Sequence, residues 1–105
     1  MKNQSVNIGI AGLGTVGTGV IKILNENRAL LTEKTGKNFQ IKAVSAKNRN
    51  KLREIDLNEI AWIDNPSDLA KREDIDIIVE VIGGSNDPSK ALVEKALQNG
   101  KHVVT

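Results

Sequence analysis

The sequence has no cysteine, which excludes disulfides and thiolate-ligated metal centres at the outset. The same absence favours a reducing compartment, because small secreted domains usually need such cross-links. Aromatic residues are almost missing: Phe39 and Trp62 are the only two, so any core must be aliphatic. One histidine is present, His102, and the sequence offers no readable metal-ligand cluster or Ser-His-Asp set. A lone histidine beside a strand is expected to pack or to sit at the surface. No apolar run approaches the roughly 20 residues that cross a bilayer. The polar start, Met1 to Ser5, lacks the charged-then-apolar pattern of a secretory signal. A cytoplasmic location without a membrane partner is the expectation. The net charge is +2, too small to argue for a nucleic-acid partner.

With 105 residues, the chain forms one domain at most. Hydrophobic residues make up 39% and charged residues 27%, the balance of a folded globular protein. Val6 to Ala11 is a short apolar run ending at glycine and reads as a buried parallel strand. A helix follows, with Val16, Val20, Ile23, Leu24, Leu30 and Leu31 forming an apolar stripe over about five turns and Gly36 as its stop. Phe39 to Ala46 is the second strand. Residues 50–63 carry little pattern and suggest a short helix or an irregular crossover. Asn65-Pro66-Ser67 opens another helix, with Asp64 or Asn65 as cap and Pro66 in its first turn. Ile75 to Ile82 is a third strand ending at Gly83-Gly84. Asp87 and Pro88 start a helix whose buried face is Leu92, Val93, Ala96 and Leu97. Gly100 ends it, and His102 to Val104 begins a further strand.

Strand and helix alternate throughout, which predicts an α/β fold of Rossmann type: a doubly wound parallel sheet with right-handed crossovers. The chain stops one residue after a strand that no helix covers. The sheet is therefore expected to be partial, truncated at its C-terminus.

Between the first strand and first helix, Gly12-Leu13-Gly14-Thr15-Val16-Gly17 fits G-x-G-x-x-G. Alone the pattern is weak, but its strand–turn–helix setting points to a dinucleotide site. Gly12 permits the tight turn, Gly14 lets the backbone approach a pyrophosphate, and Gly17 lets the helix pack closely on the sheet. The phosphates then face a helix N-terminus, where unpaired N–H groups, here those of Thr15 and Val16, and the helix dipole favour negative charge.

The end of the second strand discriminates between nicotinamide cofactors. NAD sites place a carboxylate there for the ribose 2′-hydroxyl. This chain has Ser45-Ala46-Lys47-Asn48-Arg49, without a carboxylate, and the basic residues continue with Lys51 and Arg53. Such a cluster can be a solvated turn; at this place in the fold it attracts a 2′-phosphate, so NADP is the preferred cofactor and NAD a possible one. The turn lies about 30 residues after Gly17, further than the usual spacing of about 20. Gly83-Gly84 is either a plain strand-to-helix turn or the far wall of the cofactor crevice. Glu80, just before it, is expected to make a structural hydrogen bond to a loop amide, because a buried carboxylate needs a partner.

The residues resemble a known family. Ile8 to Gly17 is similar to the opening of homoserine dehydrogenase. Val79-Glu80-Val81-Ile82-Gly83-Gly84 resembles its Glu-x-Ile-Gly-Gly segment, and Lys101-His102-Val103-Val104-Thr105 resembles the start of its Gly-Lys-x-Val-Val-Thr-Ala-Asn-Lys segment. The resemblance runs over the whole chain, and its last two segments are the most specific. It implies NAD(P)-dependent interconversion of L-aspartate 4-semialdehyde and L-homoserine, on the route to threonine and methionine. It also implies cofactor contacts at Leu13, Ile82 and Thr105 beside the glycines. Lys47 corresponds to a basic residue that contacts the 2′-phosphate in NADP-using members, while Asn48-Arg49 departs from the frequent Asp-Leu.

The family's Ala-Asn-Lys would begin one residue beyond Thr105, and its substrate domain, with the catalytic Lys and Asp, lies further on. No catalytic residue is therefore expected here, and substrate binding and homo-oligomerisation are expected of the intact protein only. Two other classes compete: a related dehydrogenase sharing the cofactor domain, such as aspartate dehydrogenase, and a stand-alone nucleotide-sensing module.

Overall fold

The computed structural model describes residues 4–47, 56–82 and 89–105. Strand β1 (Gln4–Ala11) runs into helix α1 (Thr15–Glu26), followed by a second helix α2 (Arg28–Thr35) and strand β2 (Lys37–Ser45). A two-residue strand β3 (Ala61–Trp62) precedes a 3-10 helix (Pro66–Lys71). Strand β4 (Ile77–Glu80), helix α3 (Ser89–Gln98) and strand β5 (His102–Val104) complete the order. The sheet has five strands in the order β3-β2-β1-β4-β5, and every pairing is parallel. The chain moves outward from β1 to β3, then crosses back to β4. The switch point between β1 and β4 is where open parallel sheets bind their ligands.

Alternating side chains send each strand's residues to two separate cores. Ile8, Ile10, Ile41, Val44 and Val79 pack with Leu13 and with Ile21 of α1 on one face. Ala11, Ala43 and Ile78 pack with Leu69, Ala70, Leu92 and Ala96 on the other, under the 3-10 helix and α3. Helical segments thus cover both faces, as a doubly wound sheet requires, and the cores are aliphatic, with Phe39 and Trp62 only half-buried at one margin. The β1–β2 register shifts between Ile8 and Gly9, so that Ile8 pairs with Ile41 and Gly9 with Ala43. Lys42 is the extra residue of this bulge. Its insertion explains why Ile41 and Ala43, two positions apart, serve opposite faces.

Five expectations need correction. The first helical stretch is two helices, divided at Asn27, whose side-chain amide donates to the Ile23 carbonyl and caps α1. Of its expected stripe, Val20 and Leu24 pack against the core, but other members do not. Val16 and Ile23 are each 61% exposed and Leu30 47%, whereas Gly17 and Ile21 are the buried residues of α1. On α3, Leu92 and Ala96 are fully buried but Leu97 faces solvent; its expected start at Asp87 and Pro88 falls outside the described residues. Within the weakly patterned stretch, Ala61 and Trp62 form a strand, paired with Ala43 and Val44. The helix expected after Asn65 is the tighter 3-10 form, and Asn65 does cap it, accepting from the Ser67 amide at 3.0 Å.

Candidate dinucleotide-binding site

Three strands end level with one another at the switch point. Ala11, the last residue of β1, pairs with Ser45 on one side and Glu80 on the other. Beyond this row the backbone is tied across all three strands. The Gly12 amide donates to the Ser45 carbonyl at 2.7 Å, and the Val81 amide donates to the Ala11 carbonyl at 2.9 Å.

The three glycines of the turn answer to different constraints. Gly12 has φ +102°, and a Cβ there would lie 2.6 Å from the Val81 carbonyl oxygen, so conformation and space both demand glycine. A Cβ on Gly17 would collide with the Gly12 carbonyl oxygen, which lets the first turn of α1 close down on the loop. Gly14 has neither restriction. Its φ is −78°, and a Cβ there would meet no atom of the described residues within 4 Å. The middle glycine therefore borders open space, a bare stretch of backbone that a ligand can approach.

Gly14 is also the N-cap of α1, and no side chain caps this helix or places an acid in its first turn. The helix pattern starts with Thr18, whose amide donates to the Gly14 carbonyl at 3.0 Å, while the Thr18 hydroxyl donates to the Leu13 carbonyl at 3.2 Å. The preceding amides, those of Thr15 and Val16, have no acceptor within the helix. Gly14, Thr15 and Val16 are exposed, and Leu13 is buried beneath them. A helix start stripped of caps and carboxylates suits an anion.

Of the other predicted residues, Lys47 is exposed at a bend two residues past β2, and Ile82 is half-buried two residues past β4. Both follow strands adjacent to β1 and lie at the same edge as the glycine turn. Thr105 is exposed after β5, whose Val104 pairs with Val79, so it stands at this edge but two strands from β1. Asn48, Arg49, Gly83 and Gly84 lie outside the described residues. Glu80 makes the loop contact expected of it: only 9% exposed, its Oε2 accepts from the Ile82 amide at 2.8 Å. Sequence reasoning missed Ser45. Its carbonyl anchors Gly12, and its buried hydroxyl has no hydrogen-bond partner among the described residues; a small polar residue closing an otherwise apolar strand was the available signal.

An open groove of about 1100 Å³ lies at the opposite edge, between the starts of the strands, lined among others by Val6, Lys37, Asp76, Lys101 and His102. None of the predicted cofactor residues among the described ones borders it. His102 is exposed there, in a surface role.

Comparison with known proteins decides the family. Residues 12–105 match the model for the NAD binding domain of homoserine dehydrogenase. The chain belongs to that family. It is 38% identical over 102 residues to homoserine dehydrogenase of Neisseria gonorrhoeae, covering 97% of this chain and 23% of that protein. The homoserine dehydrogenase of Bacillus subtilis gives the same figures. Among solved structures, homoserine dehydrogenase of S. aureus superposes with a TM-score of 0.86 at 35% identity, over 95% of this chain and 25% of that one. That of Thiobacillus denitrificans gives 0.84 at 34%, over 95% and 23%. The chain thus spans about a quarter of the length of the homoserine dehydrogenases it matches. Its parallel sheet, glycine turn and uncapped α1 are the parts expected of such a NAD-binding domain. Among the described residues, no helix is long and apolar enough to cross a membrane, and no group of His, Cys, Asp or Glu could hold a metal ion.

Proposed function

We propose that this chain is the cofactor-binding part of an oxidoreductase that interconverts L-aspartate 4-semialdehyde and L-homoserine, and that it takes NADPH in preference to NADH. The observation that carries the reading is the bare N-terminus of α1 behind the Gly12–Gly14–Gly17 turn, a cradle with open space at Gly14 and no acid to repel phosphate. The pyrophosphate rests against Gly14 and the amides of Thr15 and Val16, with Leu13 beneath. Ile82, together with Gly83, Gly84 and Thr105, borders the rest of the cofactor. When bound, the dinucleotide supplies or accepts the hydride.

Lys47 and Arg49, with Asn48 between them, receive the 2′-phosphate. Support comes from the lack of any carboxylate in Ser45-Ala46-Lys47-Asn48-Arg49, since an acid there would favour the free 2′-hydroxyl. One cation–phosphate pair is worth about 1–4 kcal/mol depending on solvent exposure, and each 1.4 kcal/mol is about tenfold in affinity.

Hydride transfer also needs groups that fix the substrate's reacting carbon, and none of this chain's residues is assigned that task. The 105-residue chain is therefore expected to bind cofactor without turnover. Substrate binding and homo-oligomer formation belong, in this proposal, to proteins of the relatives' full length, and the location is cytoplasmic.

The test is calorimetric titration of the chain with NADPH and NADH, beside Lys47→Ala. The expected result is tighter binding of NADPH, with the variant losing about tenfold for NADPH and little for NADH. Equal affinities, or an NADH preference, would overturn the role of the basic turn. No binding of either would overturn the autonomous cofactor site.

A further inference from the structure

Glu80 is a nearly buried carboxylate that the cofactor proposal leaves without a task. Ladder pairing of β4 with β1 reaches its last bond at Val81, whose amide donates to the Ala11 carbonyl. The next donor, the Ile82 amide, turns to the side chain of Glu80, two residues back, at 2.8 Å. A carboxylate reaches the amide two positions on only if the backbone folds over it, so this bond fixes where β4 leaves the sheet.

The peptide gripped in this way is the one that forms the floor of the glycine turn. The three atoms nearest to a Cβ built on Gly12 are Val81 O at 2.6 Å, Val81 C at 2.8 Å and Ile82 N at 3.0 Å, all in a single peptide plane. The Val81 side chain also backs the helix, its Cγ2 lying 3.3 Å from a Cβ built on Gly17. Gly12 is thus held from two sides: through its amide by the Ser45 carbonyl of β2, and across its α-carbon by the Val81–Ile82 peptide. The peptide plane is rigid; gripping its N–H sets the direction of its carbonyl.

We propose that Glu80 is a positioning residue of the dinucleotide site, orienting the Val81–Ile82 peptide so that the Gly12–Gly17 turn closes in its phosphate-binding form. This inference rests on the cofactor reading above. Keeping an ionised group so nearly buried is costly unless it is hydrogen-bonded, and an N–H bond to a carboxylate is about twice as strong as one to a neutral acceptor. The cost and the grip have one origin.

The test compares the unaltered chain with Glu80→Ala and Glu80→Gln, reading NADPH and NADH affinity by calorimetry and the exchange protection of the Ile82 amide by NMR. Glu80→Gln keeps an acceptor in place and is expected to stay within about threefold of the unaltered chain, with the Ile82 amide still protected. Glu80→Ala is expected to lose about tenfold for both cofactors alike, along with that protection. This differs from Lys47→Ala, which changes the ratio between them. Should the unaltered chain bind while Glu80→Ala matches it, the positioning role is overturned and the cofactor reading stands. Should Glu80→Gln fail as badly as Glu80→Ala while its Ile82 amide stays protected, the role is again overturned, since the peptide would be held without benefit. An unaltered chain that binds neither cofactor overturns the reading beneath both.

Discussion

The two ends of the sheet treat their polar backbone in opposite ways. At the edge where the strands start, side chains tie off the loops. The Lys101 ammonium donates to the carbonyls of Arg72 and Ile75, the latter at 2.8 Å, and Asn99 donates to the Ala70 carbonyl at 2.8 Å. Asp76 accepts from the Asn7 amide at 2.9 Å. At the edge where the strands end, Glu80 is spent on one loop amide, and the start of α1 has no capping side chain at all. Unmade hydrogen bonds of this kind are tolerable only where water or a ligand can complete them. Among the described residues, side chains tie off the end where the strands start, the closed end, while the start of α1, at the open end, is left uncapped; on the proposed reading a dinucleotide completes it.

The sharpest way to break this comparison is to close the open end with a single methyl group. Gly17→Ala places a Cβ against the Gly12 carbonyl oxygen, a backbone atom that cannot step aside. It is expected to cost about 1–3 kcal/mol, the range for overpacking, and to abolish NADPH binding. Gly14→Ala is the control within the same turn: its Cβ enters open space at an ordinary φ, so the melting temperature should hold while affinity falls. Thermal melting and calorimetry on the two variants check both halves. If Gly14→Ala binds as well as the unaltered chain, the bare backbone at that position serves no ligand.

The opposite end yields a second contrast. Lys101→Met keeps the aliphatic stem and removes the ammonium that serves two loop carbonyls. Hydrogen bonds involving a charged group contribute about 1.5–3 kcal/mol, and partial exposure at Lys101 places the expected loss near the lower figure. Urea unfolding should show this loss while dinucleotide affinity per folded molecule stays unchanged. A variant as stable as the parent, or one that binds less cofactor when fully folded, contradicts the division of labour between the two edges.

Much of this division was legible in the sequence, and the parts that were not share a physical cause. The glycine turn could be read because each glycine interrupts an apolar pattern at a fixed offset, and the structure gives Gly12 and Gly17 separate backbone reasons to be there. Glu80 could be read as well, since a carboxylate inside an apolar strand must find a donor. Helix phase could not. Val20, Ile21, Ile23 and Leu24 are all apolar, so the pattern fits two stripes one position apart, and only packing against β1 and β2 selects the one through Ile21. The strand at Ala61–Trp62 has no period of its own; it exists because Ala43 and Val44 offer it an edge. Likewise, nothing local marks Lys101 as a carbonyl donor for Arg72 and Ile75, which lie more than twenty residues away in sequence.

The smallest effect lies at the surface of the closed end. Arg72 meets Asp74 through two parallel bonds, Nε to Oδ1 at 2.8 Å and the terminal nitrogen to Oδ2 at 2.7 Å. Hydrogen bonding from the Arg72 side chain holds the Asp74 carboxyl below its ordinary range, and the same contact raises Arg72. Because the folded-state value of Asp74 is depressed, its stabilisation is present above the unfolded value of about 3.9 and is lost as pH falls through the lower folded value. Both side chains are partly exposed, 31% and 45%, so solvent screens the pair and its worth is about 0.2–1 kcal/mol. Asp74→Asn should therefore unfold at slightly lower urea concentration than the parent at pH 7, and the gap should shrink on acidification below about pH 4. Cofactor affinity should not change at all, because this pair lies at the end of the sheet away from the glycine turn. A gap that persists undiminished at low pH would mean that the shape of the Asp74 side chain, and not its charge, is what this corner of the closed end uses.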